Sequence, residues 1–278
     1  MKVPYSINVN GRLLTMERPL VMGIVNVTPD SFYGISRVKE EGELLSRCSN
    51  MLADGADIID VGACSTRPGG ELVPEDEEIK RLHAAFDILK EQFPDAIFSV
   101  DTFRAKVARE CVEKYSVAII NDVSGFAADA ALLDTVAELN VPYILTHSKG
   151  ASADTPHYDD FIPELFKELA DKLWCLRQRG VKDIIIDPGF GFGKSLEQNF
   201  AMLDVFEEFA MFDVPLLVGV SRKSMITKTL GITPEEALNG TTVLNSVALM
   251  KGANILRVHD VKPAVDAIKL ITQLNINR

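Results

Sequence analysis

The sequence lacks any uninterrupted apolar run of the about 18 residues that a membrane-spanning helix needs. Its first residues, MKVPYSINVNG, also lack the apolar core of a signal peptide. These two absences exclude a membrane protein from the classes considered and predict a cytoplasmic location.

Positive charge is scarce as well. Lys and Arg number 29 against 40 Asp and Glu, which gives a formal net charge of -11. Nucleic acids and anionic membranes are bound by basic surfaces, so neither is expected as a partner. A local cluster of cations can still hold a small anionic molecule, and a small-molecule substrate therefore stays open.

Several common catalytic patterns are missing. The sequence contains no HExxH pair for zinc and no GxSxG motif for a serine nucleophile. Its four cysteines have no CxxC spacing and are expected to be reduced thiols of a cytoplasmic protein.

What the sequence does contain is a series of eight short apolar runs, rich in Val and Ile, each ending near a polar residue. Such runs are typical of strands buried on both faces, and the stretches between them are long enough for a helix and two loops. Eight β-then-α units predict a (β/α)8 TIM barrel, whose usual size of about 250 residues fits residues 1–278 as a single domain. The runs end at Asn26, Gly62, Asp101, Asn121, His147, Asp187, Lys223 and His259.

Local signals add detail to this outline. Asn10-Gly11 between two partly apolar segments predicts a short N-terminal β-hairpin, placed to close the bottom of the barrel. A helix is predicted to begin near Pro163 and to end at Gly180, and another to begin at Thr233-Pro234.

In a TIM barrel the active site lies at the C-terminal ends of the strands. Asp101, Asn121, Asp187 and Lys223 stand at such ends, and together these side chains can read the hydrogen-bonding edge of a heterocycle. Each aspartate alone could equally bond a neighbouring loop.

A second group of strand-end and loop residues is cationic. Arg67, Arg257 and His259 suit a polyphosphate. The loop STRPGG at 65–70 can bring Arg67 over a phosphate, or else is a solvated surface loop. For Arg222 a structural ion pair is favoured over a ligand contact. The glycines of DPGFGFGK at 187–194 allow the backbone to approach a ligand closely.

Seven segments in order complete the pattern: MGIVNVTPDSF, STRPG, SVDT, IIND, DPGFGFGK, SRKS and RVHDV. Over about Val21 to Val261, they resemble the bacterial dihydropteroate synthases of folate biosynthesis. The resemblance implies a TIM barrel. It also implies an alkyl-transferring enzyme that joins (7,8-dihydropterin-6-yl)methyl diphosphate to 4-aminobenzoate, giving dihydropteroate and diphosphate.

The resemblance further implies a role for each matching position. Asp101, Asn121, Asp187 and Lys223 would hold the pterin ring. Asn26, Arg67, Arg257 and His259 would hold the diphosphate, with Asn26 also helping to bind Mg²⁺. The 4-aminobenzoate pocket would be formed by Phe32, Thr66, Pro68, Phe192 and Ser224. Of all these, Asp101, Lys223 and Arg67 would take part in catalysis.

A dissociative substitution is implied, in which the bond to diphosphate breaks before the amine attacks. Loops 27–38 and 63–72 would close over the site and exclude water. Sulfonamides would compete with 4-aminobenzoate, and the protein would be a homodimer.

Four residues at three places in the chain depart from the usual pattern of these enzymes: Tyr33-Gly34, Cys64 and Ser148. Altered affinities are expected from them, because every charged core position is kept. Two other functions stay open. One is a pterin-binding methyltransferase domain acting on a corrinoid protein. The other is a catalytically silent paralogue that binds pterin, for which the loop departures are the support.

Overall fold

The structure, a computed structural model, describes residues 4–27, 37–64, 73–149 and 158–275. Strands β1 and β2 form an antiparallel hairpin, and β3 to β10 form the second sheet. The ten strands are β1 Ser6–Val9, β2 Arg12–Thr15, β3 Leu20–Asn26, β4 Ile58–Gly62, β5 Phe98–Asp101, β6 Ile119–Asp122, β7 Tyr143–Thr146, β8 Ile184–Asp187, β9 Leu217–Val218 and β10 Ile255–Val258.

Helices follow the strands of the second sheet. They are α1 Arg37–Ala53, α2 Glu75–Gln92, α3 Ala105–Tyr115, α4 Ala131–Leu139, α5 Tyr158–Gln178, α6 Leu196–Asp204, α7 Ser224–Leu230, α8 Leu238–Met250 and α9 Val261–Asn275, with a 3₁₀ helix at Phe206–Phe212. None of the helices in the described ranges is long and apolar enough to cross a membrane.

The eight strands of the second sheet are parallel and run in the order β8-β7-β6-β5-β4-β3-β10-β9. Ile186 at the end of this order forms a parallel bridge with Leu216, just before β9. The N–H of Ile186 also donates to the carbonyl of Pro215 at 2.9 Å. These contacts join the two edges of the sheet, so the predicted TIM barrel is confirmed.

The interior of the barrel has an apolar lower layer. Alternate residues of a strand face the same side, and the inward-facing isoleucines of several strands pack together there. Ile7, Val9 and Met16 from the hairpin region belong to the same cluster. The hairpin turns at Asn10-Gly11, where both residues have positive φ, as a two-residue turn of this type requires. The hairpin therefore closes the bottom of the barrel, as predicted.

Two helix boundaries differ from the prediction. Helix α5 begins at Tyr158, before Pro163, because its buried apolar stripe already starts at Phe161 and continues through Leu165 and Leu169. At Thr233 the capping signal closes a separate turn, in which Glu236 Oε2 accepts from the Thr233 N–H at 3.0 Å. The long helix α8 starts only at Leu238.

Candidate active site

Four neighbouring strands end side by side at the upper end of the barrel, three of them with a polar residue and one with a glycine. Asn26 pairs in register with Gly62, Gly62 with Asp101, and Asp101 with Asn121. A side chain on Gly62 would place a Cβ 3.2 Å from Cβ of Asp101 and 3.7 Å from Oδ1 of Asn26. The glycine therefore keeps open the space between these two polar side chains.

Arg257 is the centre of a charged network in this layer. Its Nη2 donates to Oδ2 of Asp101 at 2.5 Å, and its Nε donates to Oδ2 of Asp60 at 2.7 Å. Asp60 is fully buried and Arg257 nearly so. Burial opposes the guanidinium charge, but the carboxylates of Asp60 and Asp101 outweigh it and raise the pKa of Arg257.

Asn121 belongs to the same network. Its Nδ2 donates to Oδ2 of Asp60 at 2.9 Å, and both side chains are buried. The sequence grouped Arg257 with Arg67 and His259, apart from the heterocycle residues. The structure instead places its guanidinium against Asp101 and the partner of Asn121, so Arg257 links the two expected groups.

Asp187 and Lys223 occupy the opposite side of the barrel mouth. Oδ1 of Asp187 accepts from the N–H of Gly189 at 2.8 Å. Burial raises the pKa of Asp187, while Lys223 and the Gly189 N–H act against that rise. A Cβ added to Gly219 would lie 3.7 Å from Nζ of Lys223 and 3.8 Å from Oδ2 of Asp187, so both groups border the same open space.

The Lys223 ammonium is held by the glycine-rich loop, which is the DPGFGFGK segment at 187–194. Nζ donates to the carbonyl of Phe190 at 2.5 Å and lies 4.6 Å from the ring centre of Phe192, a cation–π contact. Burial lowers the pKa of Lys223 to about 8, with Asp187 opposing the shift. Two of the residues expected around 4-aminobenzoate thus lie next to Lys223, which is expected to hold the pterin. The Phe192 ring contacts the Lys223 ammonium, and Ser224 comes directly after Lys223 as the exposed first residue of α7.

The glycine-rich loop is fastened to the end of β7. Lys194 Nζ donates to the carbonyls of His147 at 2.9 Å, Gly189 at 2.8 Å and Phe192 at 3.3 Å. Gly189 has a φ of +76°, and a Cβ there would lie 1.9 Å from the His147 carbonyl oxygen. Only glycine fits that position, so Gly189 allows the loop to pack closely against the end of β7.

His259 stands at the end of β10, beside Ser221. Its Nδ1 shares a hydrogen bond of 2.9 Å with Oγ of Ser221, which also accepts from the His259 N–H at 3.2 Å. Burial, together with Arg257 and Arg222, lowers the pKa of His259 to about 4. The imidazole is therefore neutral at pH 7 and offers hydrogen bonds rather than a charge.

Arg222 forms the structural ion pair that the sequence favoured. Its Nη2 and Nε donate to the two carboxylate oxygens of Asp260 at 2.7 and 3.0 Å. A cavity of about 610 Å³ opens beside this pair between α1 and the start of α9, and both His259 and Arg47 line it.

Four of the expected site residues lie outside the described residues: Phe32, Thr66, Arg67 and Pro68. Their roles stay predictions. The nine others are Asn26, Asp101, Asn121, Asp187, Phe192, Lys223, Ser224, Arg257 and His259, and all lie at or just beyond the C-terminal ends of barrel strands.

Sequence reasoning missed Asp60 and Lys194. Asp60 lies inside the run DIIDVG, which was interpreted only as a buried strand. A carboxylate is almost never fully buried unless it is paired, so its position within that run was a usable signal. The signal for Lys194 was its place at the end of a loop whose three glycines demand close packing.

The donor set near Asn26 bears on metal binding. Within the described ranges no three His, Cys, Asp or Glu side chains come together to hold a metal ion. Mg²⁺ is commonly bound by one or two protein oxygens together with substrate phosphates and water. The exposed amide of Asn26 fits that mode, in which the ion arrives with a phosphate-bearing substrate.

The barrel and this polar layer define the class of protein: a TIM barrel with polar and charged side chains gathered at the C-terminal ends of its strands. The family model for pterin binding enzymes matches residues 22–259. The dihydropteroate synthase of Escherichia coli K12 is 38% identical over 266 residues, covering 94% of this chain and 93% of that protein.

Solved structures agree. Xanthomonas albilineans dihydropteroate synthase with 4-aminobenzoic acid has a TM-score of 0.89 at 37% identity, covering 98% of each chain. The Yersinia pestis enzyme in complex with a sulfonamide drug has a TM-score of 0.89 at 34% identity, covering 98% of this chain and all of the other. The chain belongs to the pterin binding enzymes and, within them, to the dihydropteroate synthases. It is thus an alkyl-transferring enzyme of folate biosynthesis.

Proposed function

We propose that this chain forms dihydropteroate by a dissociative substitution at the layer of Asp101, Asn121, Asp187 and Lys223. The C–O bond to diphosphate breaks first, and its electron pair leaves with the diphosphate. The amine of 4-aminobenzoate then forms the new C–N bond and loses a proton. The observation that carries this proposal is the convergence of these side chains and Arg257 on one buried layer.

Each group has a physical task in that reaction. Asp187 and the amide oxygen of Asn121 accept hydrogen bonds from the pterin ring, and the Lys223 ammonium donates one. The Asp101 carboxylate places negative charge where the methylene cation develops. No protein nucleophile is needed, which fits a layer without an activated Ser or Cys among its described members.

The diphosphate is assigned to the side of the mouth that carries Asn26 and His259. His259 donates or accepts as a neutral imidazole, while Arg67 supplies positive charge. Asn26 provides an oxygen ligand for Mg²⁺, which when bound offsets the charge of the departing diphosphate. Phe32, Thr66, Pro68, Phe192 and Ser224 are assigned to 4-aminobenzoate, with loops 27–38 and 63–72 excluding water.

A turnover assay tests the proposal. Purified protein, Mg²⁺, the dihydropterin diphosphate and labelled 4-aminobenzoate are mixed, and labelled dihydropteroate is followed. Product that requires both substrates is expected, and omission of Mg²⁺ tests the metal separately. Pterin binding without any product would instead support the silent paralogue.

Sulfonamides are assigned to the 4-aminobenzoate pocket, since a sulfonamide drug is bound in the related Yersinia pestis enzyme. Raising the concentration of 4-aminobenzoate is expected to relieve the inhibition. Inhibition that does not depend on the concentration of 4-aminobenzoate would contradict binding of the sulfonamide in that pocket.

A homodimer is proposed through the outer faces of α8 and α9, which pack against each other. Val243 and Met250 are exposed on one face of α8, and Leu270 and Leu274 on one face of α9. Such an apolar surface is typical of an interface. Light scattering should give twice the chain mass, and the double variant Met250→Glu/Leu270→Glu should give the single mass. A monomeric parent protein would contradict the proposal.

We assign residues 1–278 to one domain, because the barrel strands extend from Leu20 to Val258 and the hairpin packs beneath them. A cytoplasmic location is proposed because all four cysteines are unpaired. Limited proteolysis should leave one resistant core, and cell fractionation should recover the protein with cytoplasmic markers.

A further inference from the structure

Asp60 is a buried carboxylate at the centre of the polar layer, and no substrate contact has been assigned to it. It lies two residues beyond Ile58, on the same inward face of β4, directly above the apolar lower layer. Its side chain is fully buried. Burial of a carboxylate destabilises the fold unless hydrogen-bonding or charged partners compensate for the lost hydration, so the partners of Asp60 indicate what it does.

One oxygen of Asp60 serves two side chains on different strands. Oδ2 accepts from Nδ2 of Asn121 at 2.9 Å and from Nε of Arg257 at 2.7 Å. Oδ1 is buried and has no hydrogen-bond partner within the described structure. The fixed contacts of Asp60 therefore all pass through the atom that orients Asn121 and Arg257.

The contact with Asn121 settles which way its amide points. A carboxylate oxygen accepts hydrogen bonds and has no proton to donate. The reverse orientation would place the amide oxygen of Asn121 against Oδ2 of Asp60, where two acceptors repel each other. One N–H of Nδ2 is thus committed to Asp60, and Oδ1 is the atom of the amide that is left to accept a hydrogen bond from a ligand.

We propose that Asp60 is a positioning residue that fixes Asn121 as a hydrogen-bond acceptor and so makes the pocket select heterocycles that present a donor. This rests on the proposed function, in which Asn121 contacts the pterin ring. The 2-amino group of a pterin is such a donor. In a lumazine an oxygen replaces that group, so an acceptor would meet the acceptors of the pocket.

Two substitutions separate the acceptor role of Asp60 from its charge. Asp60→Asn and Asp60→Leu both remove the negative charge of Asp60 and leave Asp101 as the carboxylate partner of Arg257. The asparagine keeps an oxygen that can accept from Nδ2 of Asn121, whereas the leucine has none. Ser99→Ala is the control, because Ser99 is the register partner of Asp60 and its Oγ makes no hydrogen bond in the described structure.

The measurement is the ratio of dissociation constants for 6-hydroxymethylpterin and 6-hydroxymethyllumazine, obtained by calorimetry. The parent protein, Ser99→Ala and Asp60→Asn are each expected to favour the pterin at least about tenfold, as an unmatched buried polar group implies. Asp60→Leu is expected to lose most of that preference, because the Asn121 amide can then turn. A purely structural role would weaken both ligands equally and leave the ratio unchanged.

The outcomes are distinguishable. A folded Asp60→Leu variant with the parent ratio overturns the proposal, as does loss of the preference in Asp60→Asn. If Asp60→Leu does not fold, equal binding of the two heterocycles by the parent protein or by Asp60→Asn overturns it. A parent protein that binds neither heterocycle and makes no dihydropteroate overturns the proposed function itself, and this inference with it.

Discussion

Arg257 and Asp101 meet in the barrel mouth, with Nη2 of the arginine 2.5 Å from Oδ2 of the aspartate, although 156 residues separate them in the chain. The guanidinium favours the charged form of a carboxylate in a place where burial favours the neutral acid. Burial raises the pKa of Asp101, and Arg257 is the largest influence in the opposite direction. The ionised carboxylate of Asp101 thus places a negative charge beside the position assigned to the methylene cation.

Replacement of Asp101 by Asn is expected to lower kcat by about two to three orders of magnitude, the usual cost of losing one preorganised electrostatic contact. The size and shape of the side chain are kept, so pterin binding should change much less. Steady-state kinetics and calorimetry measure the two effects. Asp134→Asn, which alters an exposed ion pair with Arg179, is the control. Unchanged kcat in Asp101→Asn would remove the charge of Asp101 from the mechanism.

The raised pKa of Asp101 also predicts an acid limb in the pH profile of kcat/KM. Activity should fall as the pH drops through a value above the ordinary carboxyl range, because the side chain then gains a proton. The contribution of Asp101 to the free energy of unfolding changes with pH in the opposite direction to the activity. Between the ordinary and the raised pKa the folded state binds the extra proton, so this contribution decreases as the pH rises. A loss of activity at acid pH without unfolding, absent from the residual activity of Asp101→Asn, is the expected result.

Lys223 should set the alkaline limb. Its pKa is lowered to about 8, so its ammonium, and with it a hydrogen bond to the pterin, is lost as the pH rises through that value. The unfolded chain keeps this proton up to its ordinary pKa, and the Lys223 contribution to stability therefore increases between these two pH values. Pterin affinity that falls above about pH 8 while the protein stays folded confirms the assignment. Affinity that stays constant to pH 10 contradicts it.

Substitution of Lys223 by Ala should impair both pterin binding and turnover, because the side chain supplies a partly buried donor between Phe190 and Phe192. A loss of about tenfold or more in affinity is expected for a charged hydrogen bond of this kind. Lys228→Ala, on the exposed side of the same helix α7, is the control and should be neutral. Full activity in Lys223→Ala would exclude the residue from the site.

Much of this arrangement followed from the sequence for a simple physical reason. Parallel strands in a closed barrel must be apolar on both faces, so their runs stand out, and their C-terminal ends must converge. Asp101, Asn121 and Asp187 could therefore be predicted to face the same barrel mouth. The partnership of Asp60 with Arg257 could not, because it joins residues 197 positions apart and depends on which face of each strand points inward.

The charge state of His259 was also beyond the sequence. His259 was interpreted as part of a cationic group with Arg67 and Arg257, but burial lowers its pKa to about 4 and leaves it neutral. Burial is a property of the packed barrel mouth and has no signature in the local residues. The positions of side chains were thus more predictable than their protonation.

The glycine-rich loop offers a matched pair of substitutions that separates close packing from backbone strain. Gly189 and Gly180 have nearly equal φ values of +76° and +80°, so an alanine pays a similar cost of about 1–2 kcal/mol for the left-handed conformation at either position. A Cβ at Gly180 meets nothing within 4 Å, whereas one at Gly189 lies 1.9 Å from the carbonyl oxygen of His147. Gly180→Ala should therefore lose only the strain energy, and Gly189→Ala should lose clearly more.

Urea denaturation measures this difference in the free energy of unfolding, and pterin affinity shows its consequence for the site. The loop carries both contacts to Lys223, so Gly189→Ala should weaken pterin binding while Gly180→Ala leaves it unchanged. Equal losses of stability in the two variants would mean that the loop yields to the added methyl group. The anchoring of the loop to β7 would then be too weak to position Lys223.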